Sequence, residues 1–179
     1  MANRSDRPSV RHEVVITRIF DAPRDVVFAV WTDARYVAQW WGLNGCTIPT
    51  CSLELKPGAR WRIEMVTKPG VTYPNGGEVL EVVHNERFAY SSDFDAKDPI
   101  WAGSPPPNAV NSVTFEDFEG SNRTKVTVTI SLGSAEGKAE FLRRGTARGI
   151  EEGLWRLAQL LARLTHQIHH QRFENSDLK

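Results

Sequence analysis

Few side chains in this sequence stand at spacings that do chemistry. The clearest set is His166, His169 and His170, in the run HQIHH near the end of the chain. His166 and His170 fall one helical turn apart, a spacing that two metal ligands can use. Histidines near a helix C-terminus also complement its dipole, and no HExxH motif accompanies these. The run therefore implies no metal site. Cys46 and Cys51 are the only cysteines. Their odd spacing within one expected strand puts them on opposite faces, so they read as two unpaired thiols in a reducing compartment. No CxxC pair joins them to make a zinc site. Glu81 or Asp93 with Tyr90 could form a general acid–base pair if a cavity shifted their pKa values. There is no GxGxxG, no P-loop and no GxSxG elbow. His12 and His84 are the only histidines outside the tail. The residues imply no cofactor and give no positive case for an enzyme.

The elements that would position any site are more legible. The 179 residues suit one domain. We expect a disordered leader over 1–11, a single domain over 12–170 and a frayed tail over 171–179. The 22 basic and 22 acidic side chains cancel, which argues against strong steering toward nucleic acid or an anionic membrane. The polar N-terminus has no signal-like apolar stretch, and Val26–Trp31 is far too short to cross a bilayer. Cytoplasm is the expected location.

β-Branched residues from Val14 to Ile19 predict a first strand over His12–Phe20. Pro23 suits a helix start, and Val26, Val27 and Val30 form one apolar edge. Thr32 or Asp33 caps a second short helix that Gly42 stops. Thr47–Leu55 reads as a strand, followed by a Lys56-Pro57-Gly58 turn. In Arg60–Met65, Trp61, Ile63 and Met65 face one way and the charges the other. Pro74-Asn75-Gly76-Gly77 reads as the next turn. Glu78–Val83 and Arg87–Phe94 form a hairpin across His84-Asn85-Glu86. Asp95–Asn108 holds four prolines and Trp101 and is too long for a simple turn. Ala109–Glu116 and Lys125–Leu132 resume as strands. One long helix is expected over Gly137–His169, with Phe141, Ile150, Leu154, Leu157 and Leu161 as its apolar stripe. Gly145, Gly149 and Gly153 would lie on one face of it, each costing about 1 kcal/mol relative to alanine.

This order predicts an α+β fold in which a curved antiparallel sheet of six or seven strands wraps around a long C-terminal helix. A curved sheet and a straight helix touch poorly along part of their length, which leaves room for a ligand cavity. The sheet side of that cavity would be Trp61, Ile63, Met65, Tyr90 and Phe94. Phe141, Gly145 and Gly149 would oppose it. Trp40 would stand at its mouth, and Trp101 would anchor the proline-rich loop or close it as a lid. Each of these is also an ordinary core residue. Arg18 and Glu81, charges within strands, read as outward ion pairs worth little or as inward groups fixing a polar ligand end.

Four groups of residues resemble the activator of heat-shock-protein-90 ATPase-like branch of START-like proteins, over roughly Glu13–Leu164. They are Arg18–Phe20 with Ala22-Pro23, Trp31-Thr32-Asp33 and Gln39-Trp40-Trp41-Gly42; Lys56-Pro57-Gly58 with Trp61 and Met65; Gly77 with Glu78–Glu81 and Glu86-Arg87-Phe88; and Glu152-Gly153-Leu154. The segment after Phe94 is longer than in that branch, and Ala59 replaces a common glycine. The resemblance implies a helix-grip fold. It also implies a small hydrophobic or amphipathic ligand, a chaperone partner whose ATPase is stimulated, or cyclase- or hydrolase-like use of the same cavity. No nucleic-acid partner and no membrane insertion are expected; a homodimer through the outer sheet face or an edge strand is compatible with the pattern.

Overall fold

The structure is a computed structural model that describes residues 11–174, and side chains as far as 166. Residues 1–10 of the expected leader, the tail after 174 and the side chains of His169 and His170 lie outside the described residues. The elements run β1 (Glu13–Phe20), α1 (Arg24–Thr32), α2 (Ala34–Trp40), β2 (Thr47–Ser52), β3 (Arg60–Val66), β4 (Thr72–Val83), β5 (Arg87–Ser92), β6 (Ala109–Asp117), β7 (Thr124–Ser131), α3 (Ala135–Arg143) and α4 (Thr146–Glu174). A 3-10 turn over Pro99–Trp101 sits in the proline-rich loop. The seven strands form one antiparallel sheet in the order β1-β7-β6-β5-β4-β3-β2. Strands β2 to β7 are a continuous meander, and β1 returns to the far edge beside β7. The α1–α2 pair therefore carries the chain across the sheet, from one edge strand to the other.

Alternation decides which face is covered. In β7 the buried residues are Thr124, Val126, Val128 and Ile130, and in β6 they are Ala109, Asn111, Val113 and Phe115. In β1, Ile16 and Phe20 are buried while Val15 and Ile19 face outward. The covering helix contributes Leu154, Leu157, Leu160 and Leu161. One end of this core is dense. Phe28 and Trp31 both meet Phe115 edge-on, with ring centroids 5.2 and 5.7 Å away, and Trp31 lies 4.9 Å from Trp40. Burying one such side chain stabilises the fold by about 1.5–3 kcal/mol.

Local chemistry sets the helix ends. Asp33 caps α2 by accepting from the Arg35 N–H at 2.8 Å. Pro23 itself stands at the cap of α1, and its carbonyl accepts from Val27 at 3.0 Å.

Three expectations are corrected. The stretch Pro74–Gly77 is not a turn but the inside of β4; the chain turns earlier, across Thr67–Val71. Beyond the Gly76–Asp93 bridge β4 is paired with β3 alone, so proline's missing N–H interrupts no ladder toward β5. The single long helix is two, because Gly145 adopts φ +72° and ends α3. Its N–H bonds the Leu142 carbonyl at 3.0 Å, the left-handed stop that glycine allows. Cys46 lies before β2 rather than in it, and the β2 register shifts between Thr47 and Thr50.

Gly77 has a specific task. It pairs with Trp61, whose indole N–H crosses it to reach the Ser91 carbonyl at 2.8 Å. A Cβ on Gly77 would stand 1.9 Å from that carbonyl oxygen and 2.8 Å from the indole nitrogen. Gly77→Ala should therefore lower stability by roughly 3 kcal/mol, as overpacking a fixed backbone does. Urea unfolding should show an earlier midpoint, and an unchanged midpoint would contradict this role for Gly77.

Candidate functional site

The other end of the interior is not filled. A cavity of ≈ 450 Å³ lies between the concave sheet, the α3–α4 joint and the proline-rich loop. The structure brings Trp40, Trp61, Met65, Tyr90, Phe94, Trp101, Phe141, Gly145 and Gly149 together around it. Ile63 faces the same side but lines a separate, smaller crevice toward β2, with Val37, Cys51 and Phe88. Gly145 borders the cavity from the break between helices rather than from a helical face, so the expected three-glycine face is reduced to Gly149 and Gly153.

Those two glycines serve the corner between α2 and β2. A Cβ at Gly149 would meet Leu43 at 3.0 Å, and one at Gly153 would meet the Trp40 carbonyl at 3.4 Å. The corner thus lies against α4 at both positions, tightly at Gly149 and in ordinary contact at Gly153. Arg156 then donates from Nε to the Trp40 carbonyl at 3.1 Å and from Nη2 to the Gly42 carbonyl. The Trp40 carbonyl ends α2, where a cation is favoured, and Gly42 follows just past its cap. Glu152 accepts from the Asn44 N–H at 3.3 Å. Trp40 is a core residue first: it is buried, and its indole donates to the Val30 carbonyl at 3.1 Å.

The opposite wall is the loop. Trp101 packs against Phe94 and Tyr73, with centroids 5.5 and 5.8 Å apart. Its indole N–H is buried without a hydrogen-bond partner among the described residues, which costs this position of the loop about 1–3 kcal/mol. Arg144 ties the loop to the helix joint. Its Nη2 donates to the Ser104 carbonyl and hydroxyl at 2.8 and 2.9 Å, and its Nε donates to Glu140 at 2.6 Å.

Among the described residues lining the cavity, the ionisable ones are Tyr73, Tyr90 and Arg144. Burial pushes the Tyr90 phenol up to about 12, so it stays neutral. Glu81 is not inside; it pairs with Arg87, both partly exposed. Asp93 pairs with Arg60 at 3.3 Å, also on the surface. The cavity thus brings together no carboxylate or imidazole that could move a proton near neutral pH. Burial raises both thiols, Cys46 and Cys51, above their ordinary value, which leaves them poor nucleophiles. Among the described residues no cluster of His, Cys, Asp or Glu could hold a metal ion. No helix among them is long and apolar enough to cross a membrane.

Sequence reasoning missed Asn111, Ser92 and Arg144, all on the cavity wall. Asn111 left a signal: it is the one amide at an inward position of β6, between Ala109 and Val113. Arg144 left none, because its place depends on the helix break.

A curved antiparallel sheet gripping a C-terminal helix, with a cavity between them, defines a helix-grip, START-like protein. The chain belongs to the family of Activator of Hsp90 ATPase homolog 1-like proteins, whose model matches residues 21–162. Among solved structures it is similar to a protein from Mycobacterium smegmatis, at 23% identity over 84% of this chain and 91% of that one, with a TM-score of 0.73. It is also similar to a protein from Nitrosomonas europaea, at 18% identity over 86% and 96%, with a TM-score of 0.73. An AHSA1 protein from Silicibacter pomeroyi aligns at 22% identity over 84% and 97%, with a TM-score of 0.64. Likeness at these identities concerns the fold. No curated protein matches the sequence.

The Arg144 tie makes a titration prediction. Hydrogen bonds from Arg143 and then Arg144 lower the Glu140 carboxyl from its ordinary 4.5 to about 2. A depressed carboxylate stabilises the fold above its unfolded pKa and loses that contribution as pH falls through the folded value. A carboxyl NMR titration should find Glu140 with a midpoint near 2. Arg144→Met should move the midpoint upward. A wild-type midpoint near the ordinary 4.5 would contradict the tie.

Proposed function

We propose that this protein binds a small hydrophobic or amphipathic molecule in the cavity between the sheet and the C-terminal helices. The observation that carries this reading is the ≈ 450 Å³ of space walled by aromatic rings. That volume falls in the range of small-molecule sites. Close-packed interiors normally leave few voids larger than a water molecule. Binding without chemistry fits a lining that offers no proton-transfer group with a suitable pKa. The family also supports a second reading, a chaperone partner whose ATPase this chain stimulates, but its support is the family description alone.

Gly149→Leu tests the first reading. The nearest neighbour of the new side chain is the flexible end of Leu43, so the fold can absorb it. The protein purified from its own host should carry a small molecule in native mass spectrometry, and the variant should lose it while keeping its circular dichroism spectrum. A folded variant that retains the same adduct would overturn the cavity reading. A bare wild type that raises a chaperone's ATP turnover would favour the second.

A further inference from the structure

One buried polar side chain on the cavity wall is only half used by the fold. Asn111 is 6% exposed and stands at an inward position of β6, among Ala109, Val113 and Phe115. Its amide nitrogen is used: Nδ2 donates to the Ser92 hydroxyl at 2.9 Å and, more weakly, to the Tyr90 carbonyl at 3.5 Å. The Tyr90 carbonyl can only accept, so its contact places the nitrogen on that side, whereas the Ser92 hydroxyl serves either end of an amide. The oxygen, Oδ1, accepts nothing from the described residues. It is not sealed away either, because the one enclosed side-chain nitrogen or oxygen without a partner among them is Trp101 Nε1. The open space beside Asn111 is the cavity.

Two hydroxyls share this patch. Tyr90 is the direct cross-strand partner of Asn111, and its hydroxyl has no partner among the described residues. Ser92 accepts from Asn111 and so keeps its own proton to give. The cavity lining therefore holds an acceptor, Oδ1, with the Ser92 hydroxyl beside the same amide and Tyr90 on the neighbouring strand. Tyr90 is held neutral, and the one charged group on the lining, the Arg144 guanidinium, bonds Glu140 through Nε and Ser104 through Nη2 at the loop side.

Resting on the cavity reading above, we infer that the ligand is a neutral, planar, ring-containing molecule bearing a hydroxyl or amide head. The head donates to Asn111 Oδ1 and accepts from Ser92 or Tyr90. The rings of Trp61, Phe94 and Phe141 take the flat body, since aromatic faces favour stacked and edge contacts. A carboxylate head is disfavoured beside Asn111, because it has no proton for Oδ1 and would lose its hydration there.

Three probes of one body test this: 2-naphthol, naphthalene and 2-naphthoate, titrated calorimetrically into the full chain. The expected result is that 2-naphthol binds about tenfold tighter than naphthalene, the worth of one good hydrogen bond, with 2-naphthoate weakest. Asn111→Leu should erase the difference by weakening 2-naphthol while leaving naphthalene unchanged or improved. If that variant does not fold, Ser92→Ala should shrink the same difference. Equal binding of naphthol and naphthalene, unaffected by either substitution, would overturn the head-group inference and leave the cavity reading standing. Tighter binding of naphthoate would overturn it too. No binding of any probe would overturn both.

Discussion

The structure depends on how one corner of the chain is pinned to α4. The Trp40 and Gly42 carbonyls at the end of α2 need donors, and Arg156 supplies them from the helix that covers the sheet. Gly153 sits at that contact, where a Cβ would just touch the Trp40 carbonyl at 3.4 Å. Once that corner is fixed, Trp40 and Trp31 are driven into the dense end of the core, against Phe115. The helix cannot then also lie flat on the other end of a curved sheet. Gly145 ends α3 and lets the chain change direction, and the space left under the joint is the cavity. A tight contact at one end and a void at the other are two consequences of the same geometry.

The walls of that void are held by different forces. On the sheet side, Trp61 is locked by its bond to Ser91 across Gly77, and it meets Tyr90 edge-on at 5.5 Å. Such a wall is rigid, because ladder hydrogen bonds and ring packing both fix it. On the loop side, the ties are Arg144 to Ser104 and the Phe94 N–H to Asn108 at 3.1 Å, near the surface. The unpartnered indole of Trp101 adds a penalty there. If part of the enclosure yields, the physics favours the loop over the sheet.

Much of the architecture was legible in the sequence because it rests on period. Strict alternation in Arg60–Met65 and in β7 marks the buried face directly. The paired helices after β1 follow from Pro23 and Asp33, two residues with local reasons to start a helix. What misled was composition without context. Pro74-Asn75-Gly76-Gly77 has the residues of a turn, yet an extended backbone suits it where β4 is paired on one side. The glycines at 145, 149 and 153 share a spacing but not a task, since the first is a stop and the others are contacts. Nine of the ten expected lining residues border the cavity; strand alternation selects Trp61, Met65 and Tyr90, while the others come from helices, the helix break and the loop. Ile63 shares that alternation but lines the neighbouring crevice toward β2. Asn111 was missed because attention to apolar and aromatic residues passes over an amide, which carries most information where its neighbours are apolar.

The most direct measurement is a crystal structure of the purified protein under xenon pressure. Xenon occupies apolar space that side chains leave open. The structure predicts a xenon atom between Trp61, Tyr90 and Phe141, with Arg156 still bonded to the Trp40 and Gly42 carbonyls. Phe141 in direct contact with Trp61 or Tyr90, with no xenon between them, would contradict it.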